Sequence, residues 1–215
     1  MLDNHNTADS DTSSLDQIQK NIIDIGHWVD QNGWCAATSG NLSARVDSSR
    51  IMITVSGNSK GSLSPEKLMM VDTKGEPFNS DQAPSAETLL HTLIYGQIEQ
   101  ANYVIHTHSV IATVFSRAIW QGEISFKNYE MQKAFSGVNS HEHELKVPVY
   151  ANSQNMLVLA QQVEPYLQSG PDIPAFILAG HGVYSWGRDV QEARRHCEAM
   201  EFLLQCEYQS CLLLK

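Results

Sequence analysis

No stretch of this 215-residue chain approaches the ~18 consecutive apolar residues that a membrane-spanning helix needs. The opening residues, Met1 to Ser14, lack a basic start and an apolar run, so no secretory signal is expected and a cytoplasmic setting is. Basic residues are scarce: 14 Lys and Arg face 24 Asp and Glu, a formal charge of −10. That balance argues against nonspecific binding to nucleic acid or to an anionic membrane, and leaves room for a small anion held at one local site. Only four cysteines occur, Cys35, Cys197, Cys206 and Cys211, and none forms a C-x-x-C pair. They read as reduced residues, not as a disulfide framework or a zinc–thiolate site. Internal repeats and the phosphate-loop string G-x-x-x-x-G-K-[ST] are absent too.

What remains is a globular composition, 42% hydrophobic and 18% charged, in a chain long enough to bury its own core. Residues 1–13 are rich in Asn, Asp, Ser and Thr and read as a polar mobile tail, with a single domain over 14–215. Ser14 and Gln17 form a capping box before Leu15, Ile18, Ile22, Ile25 and Val29, which recur at helical spacing until Gly33. Strands are expected near Leu42–Val46, Ile51–Val55, Leu68–Asp72, Tyr103–His106, Val147–Tyr150 and Ala175–Ala179. Helices are expected from Pro84-Ser85, after His108, over Met156–Leu167 and from about Asp189. Strands interleaved with helices give an α/β or α+β domain, and several connections are too short for parallel crossovers.

The chemistry-bearing residues sit at the ends of the apolar strands. His106-Thr107-His108 closes Tyr103-Val104-Ile105, and alternate residues of a strand share a face, so both imidazoles can reach one metal ion. The spacing alone is weak, because His141-Glu142-His143 repeats it in a polar stretch that reads as a solvated loop. His181 follows Phe176-Ile177-Leu178-Ala179 and lies between Gly180 and Gly182, which allow a tight turn and close approach. By itself it is equally a turn histidine bonded to backbone. Three histidines at strand ends with an open fourth position make a catalytic type of metal site, for which Zn²⁺ is the best fit.

Two small hydroxyl-rich loops, Thr38-Ser39-Gly40-Asn41-Leu42-Ser43 and Val55-Ser56-Gly57-Asn58-Ser59-Lys60-Gly61, offer backbone N–H groups and hydroxyls to an anion. Ser85 at a helix start adds a further donor. Each loop taken alone is also an ordinary turn. Glu87 in the first helical turn complements the helix dipole, and Glu130 reads as a surface carboxylate.

Taken together, Thr38–Ser43, Ser56-Gly57 with Lys60-Gly61, Pro84-Ser85-Ala86-Glu87, His106-Thr107-His108 and Gly180-His181-Gly182 resemble the class II aldolase/adducin family in order and spacing, from about residue 15 to 208. Tyr129-Glu130-Met131-Gln132-Lys133 and the run from His181 to Gly187 resemble its sugar-phosphate dehydratases most. The resemblance implies a three-layer α/β/α fold with a central, largely antiparallel sheet. It implies Zn²⁺ held by His106, His108 and His181, and a sugar phosphate held by Gly40, Asn41, Ser56, Gly57 and Ser85, with Lys60 adding charge. It implies Glu130 as the catalytic acid/base, leaves the role of Glu87 open between metal-site carboxylate and base, and suggests a homotetramer. Ala86 stands where the aldolases carry a second serine, which removes one phosphate hydroxyl. The rival readings are an aldolase or 4-epimerase sharing the same metal chemistry, and an adducin-like binding module that has lost its metal.

Overall fold

The computed structural model describes residues 6–78, 82–118 and 122–214, with side chains from residue 14 onward. Eight strands form one sheet: β1 (Asn41–Arg45), β2 (Arg50–Thr54), β3 (Leu68–Asp72), β4 (Tyr103–Thr107), β5 (Glu123–Phe126), β6 (Leu145–Tyr150), β7 (Ala175–Leu178) and β8 (Gly182–Gly187). Their order is β3-β2-β1-β4-β8-β7-β6-β5. Every neighbouring pair is antiparallel except β6 and β7. That parallel pair carries a helical crossover, α4 (Met156–Gln168), as parallel neighbours require. The other helices are α1 (Asn6–Gln31), α2 (Thr88–Gln97), α3 (Val110–Ala118) and α5 (Val190–Leu213).

The two-residue period of the strands splits the core into two sides. Ile51, Ile53, Val104, Phe176, Leu178, Tyr184 and Trp186 pack with Leu90 and Ile94 of α2 and Leu159 and Val163 of α4. Their neighbours in sequence, Met52 and Ile105, pack with Ile22, Ile25 and Val29 of α1 and with Ala193 and Cys197 of α5. Ala175, Ile177 and Val183 pack with α3 and with Met200, Leu203 and Leu204 of α5. Helices therefore cover both faces of a mixed, mainly antiparallel sheet, the three-layer arrangement expected.

Four elements differ from the sequence reading. The first helix starts at Asn6, upstream of the Ser14 capping box, because nothing in the polar run 6–13 stops a helix: it holds neither Gly nor Pro. Residues 1–5 of the expected tail lie outside the described residues. The second helix starts at Thr88, and Glu87 is its N-cap residue instead of a first-turn residue. Strands β5 and β8 were not expected. All four cysteines are free, with Cys35 and Cys197 buried.

Candidate active site

The sheet brings three imidazoles and one carboxylate to a single point. His106 is the penultimate residue of β4, His108 lies just beyond the strand, His181 occupies the turn between β7 and β8, and Glu87 is the N-cap residue of α2. Nε2 of His106 is 2.8 Å from Nε2 of His108 and 3.3 Å from Nε2 of His181. His108 and His181 are 3.0 Å apart through the same atoms. Glu87 Oε1 lies 3.0 Å from His181 Nε2 and 3.6 Å from His106 Nε2. One donor atom from each residue falls within 4.8 Å of all the others.

The far side of each ring decides what faces the centre. His106 Nδ1 donates to the Val183 carbonyl at 2.9 Å, and His181 Nδ1 donates to Asn152 Oδ1 at 3.2 Å. A neutral imidazole with its proton on Nδ1 presents a bare lone pair at Nε2. At least two such lone pairs therefore point at one another, an arrangement that a shared cation would satisfy. Burial keeps His106 below the usual histidine range and brings His108 down to about 3, so both stay neutral. Burial opposes ionisation of Glu87, but a positive charge held between it and the facing Nε2 atoms of His106 and His181 outweighs burial and keeps the carboxyl well below its ordinary range. Three imidazole nitrogens and a carboxylate are a donor set that could hold a metal ion.

The backbone behind the cluster has no spare room. Gly180 adopts φ +65°, the left-handed turn that aims His181 back at β4. A Cβ on Gly182 would fall 1.8 Å from the Thr107 carbonyl oxygen. Tyr184 stacks on His106 at 3.8 Å between ring centroids and 13° between planes. Gly40 adopts φ +72°, and a Cβ there would meet the His106 carbonyl at 2.5 Å.

Beside the cluster lies a cleft of about 210 Å³ lined by Thr38, Ser39, Gly40, Asn41, Thr54, Val55, Ser56, Gly57, Ser85, Glu87 and His108. Thus Gly40, Asn41, Ser56, Gly57 and Ser85 all reach it, from three separate segments. The Ser39 hydroxyl is buried with no partner among the described residues, a donor suited to an anion oxygen. Lys60 does not line the cleft. Its side chain is buried, and Nζ donates to the Thr38 carbonyl at 3.1 Å and the Asn58 carbonyl at 2.6 Å. It ties the two small-residue loops together from behind, where two carbonyls replace the water it loses.

Glu130 stands apart. It opens a short 3₁₀ turn, Glu130–Ala134, with its side chain 73% exposed. Its partners are Lys133 at 2.7 Å and His141 at 3.1 Å, and no residue of the cluster is among them. Two participants escaped the sequence reading. Asn152 orients His181, and His91 bonds Asn41, the residue that donates to Glu87 at 2.5 Å. Neither has a local signal, since each lies far in sequence from the residue it serves.

A mainly antiparallel sheet that brings three imidazoles and a carboxylate together beside a small-residue cleft has the layout of a metal-dependent enzyme. Residues 20–208 match the family described as Class II Aldolase and Adducin N-terminal domain, and the chain belongs to that family. It is 46% identical over 187 residues to a methylthioribulose-1-phosphate dehydratase of Yersinia enterocolitica, covering 87% of this chain and 89% of that one. It is 44% identical over 192 residues to the protein of that name from Marinobacter nauticus, covering 89% and 92%. Among solved structures, L-fuculose-1-phosphate aldolase from Thermus thermophilus superposes with a TM-score of 0.73 at 23% identity, covering 92% of this chain and 95% of that one. YgbL of Escherichia coli, described as a putative aldolase/epimerase/decarboxylase, gives 0.73 at 25% identity, covering 89% and 88%.

Proposed function

We infer that this chain dehydrates 5-methylthioribulose 1-phosphate to 2,3-diketo-5-methylthiopentyl 1-phosphate, a step of methionine salvage. The observation that carries this is the 46% identity, over nearly the whole of both chains, to a relative bearing that activity's name, together with an intact three-imidazole cluster. The cluster also argues against a binding module that has lost its metal. In this reading His106, His108 and His181 hold Zn²⁺, and the phosphate rests in the cleft on Gly40, Asn41, Ser56, Gly57 and Ser85, with the free Ser39 hydroxyl beside them. Lys60 contributes buried positive charge behind the loops. When bound, the metal polarises the C2 carbonyl and makes the C3 proton acidic.

The remaining work falls to carboxylates. Glu87 stays ionised beside the cluster and takes the C3 proton on Oε1. Glu130 protonates the C4 hydroxyl as it leaves as water, and the resulting enol ketonises. Glu130 holds this role by the resemblance of Tyr129–Lys133 to the dehydratases. A homotetramer in the cytoplasm is the assembly and setting that go with this reading. The test is to incubate zinc-loaded protein with the substrate and identify products by mass spectrometry. Loss of one water is expected. Release of dihydroxyacetone phosphate instead would mean cleavage of C3–C4 and an aldolase.

A further inference from the structure

Behind Glu87 runs a buried polar chain with no loose end. Asn41 Nδ2 donates to Glu87 Oε2 at 2.5 Å, and Asn41 Oδ1 is in short hydrogen-bond contact with His91 Nε2. His91 Nδ1 lies 2.7 Å from Ser43 Oγ, which lies 2.8 Å from the Tyr95 hydroxyl. Asn41, Ser43, His91 and Tyr95 are all buried, and His91 is wholly inaccessible.

The donor and acceptor inventory leaves one arrangement. A carboxylate only accepts, so Asn41 turns its NH₂ to Glu87 and its oxygen to His91. That oxygen only accepts, so His91 carries its proton on Nε2. Burial keeps the ring neutral, with its pKa down at about 3. The bare Nδ1 then takes the Ser43 proton, and the Ser43 oxygen takes that of Tyr95. Without the His91 N–H, the Asn41 amide loses its reason to present nitrogen to Glu87, and a buried oxygen is left unpaired.

We infer that His91 is a positioning residue for this site: through the Asn41 amide it locks Glu87 with Oε2 as a permanent acceptor, leaving Oε1 as the one carboxylate oxygen open to a cation or a proton. Oε1 is the oxygen that faces His181 and His106. The catalytic part of this inference rests on the dehydratase reading; the geometric part does not.

A purely structural His91 makes a different forecast. The ring packs edge-on against Tyr184 at 5.7 Å between centroids, a contact that phenylalanine preserves. His91→Phe keeps the ring and loses the N–H, whereas His91→Gln loses the ring and keeps an N–H donor. Positioning predicts that His91→Phe lowers Zn²⁺ affinity, measured by competition with a chromogenic chelator, and kcat by about 10–100-fold with KM little changed. His91→Gln should restore both to within a few-fold of wild type. Full Zn²⁺ affinity and turnover in His91→Phe, or equal losses in both variants, overturn the inference. A ¹⁵N NMR spectrum of the metal-free wild type gives a readout that no folding defect can confuse. It should show His91 protonated at Nε2 and bare at Nδ1; an Nδ1–H tautomer or a doubly protonated ring overturns the inference. Wild-type protein that shows this tautomer but leaves 5-methylthioribulose 1-phosphate unchanged refutes the dehydratase reading alone.

Discussion

Replacing Gly182 with alanine should pull the metal cluster apart from behind. The new Cβ would sit 1.8 Å from the Thr107 oxygen, 2.9 Å from the Thr107 carbonyl carbon and 3.2 Å from His108 Cα. An ordinary carbon–oxygen contact is about 3.3 Å, so the strands must part by about 1.5 Å. They part where β4 and β8 pair, Thr107 opposite Val183 and His106 opposite Tyr184, so the displaced backbone is the one carrying two imidazoles. Neither colliding group is the end of a flexible side chain, and the strain has nowhere cheap to go. Overpacking of this kind costs about 1–3 kcal/mol, or about 2–12 °C in Tm for a chain of this size. A shift of about 1 Å at reacting groups costs on the order of 100-fold in turnover. Scanning calorimetry, zinc analysis and kinetics on purified Gly182→Ala should therefore show a lowered Tm, weakened zinc retention and a collapse in kcat. A variant with wild-type Tm and full zinc occupancy would show that the contact between β4 and β8 does not set the cluster.

Three further outcomes are expected. Glu130→Gln should retain its zinc and lose about 10²–10⁴-fold in turnover, because general acid–base help is of that size; near-normal kcat removes Glu130 from the mechanism. His106→Ala should lose zinc and activity together, and full occupancy by metal analysis would strike it from the ligands. Glu201, buried on α5, accepts hydrogen bonds from Thr107 at 2.7 Å and Ser109 at 2.5 Å, either side of His108. Burial lifts its pKa from 4.5 to about 6, partly offset by those hydroxyls. The folded state thus holds the proton more tightly than the unfolded one. Its contribution is fullest below pH 4.5 and declines by about 2 kcal/mol in all as pH rises through 6. Urea unfolding of wild type against Glu201→Gln should show that decline in their difference, and a difference flat with pH refutes it.

Local pattern was enough for most of the frame. Apolar runs closed by polar residues marked β4 and β7, and the two-residue period put His106 and His108 within reach of one point. The glycines around His181 signalled close approach, and Gly182 against Thr107 is that approach. β8 was missed because it lies between β4 and β7 with helices on both faces. All six of its residues are buried, so no alternation of polar and apolar residues betrays it. β5 is four residues long, too short for a pattern to stand out. Lys60 looked like a phosphate ligand because charge is visible in sequence, whereas the two carbonyls that capture it are not. His91 was invisible for the same reason: it sits on helix α2, and its partners Asn41 and Ser43 lie on β1, 50 and 48 positions away.

The three imidazoles come from residues 106, 108 and 181, so an ion shared among them staples together positions 75 residues apart. For the unfolded chain, that is a loop closure comparable with a long-range disulfide, worth about 4.7 kcal/mol for a 100-residue loop. Unlike a disulfide, the staple can be withdrawn by a chelator, and it exists only once β4 has found β8. Neither half of the chain contains it. A nascent chain ending before His181 would hold no complete site, and occupancy by metal would report that β4 and β8 have paired.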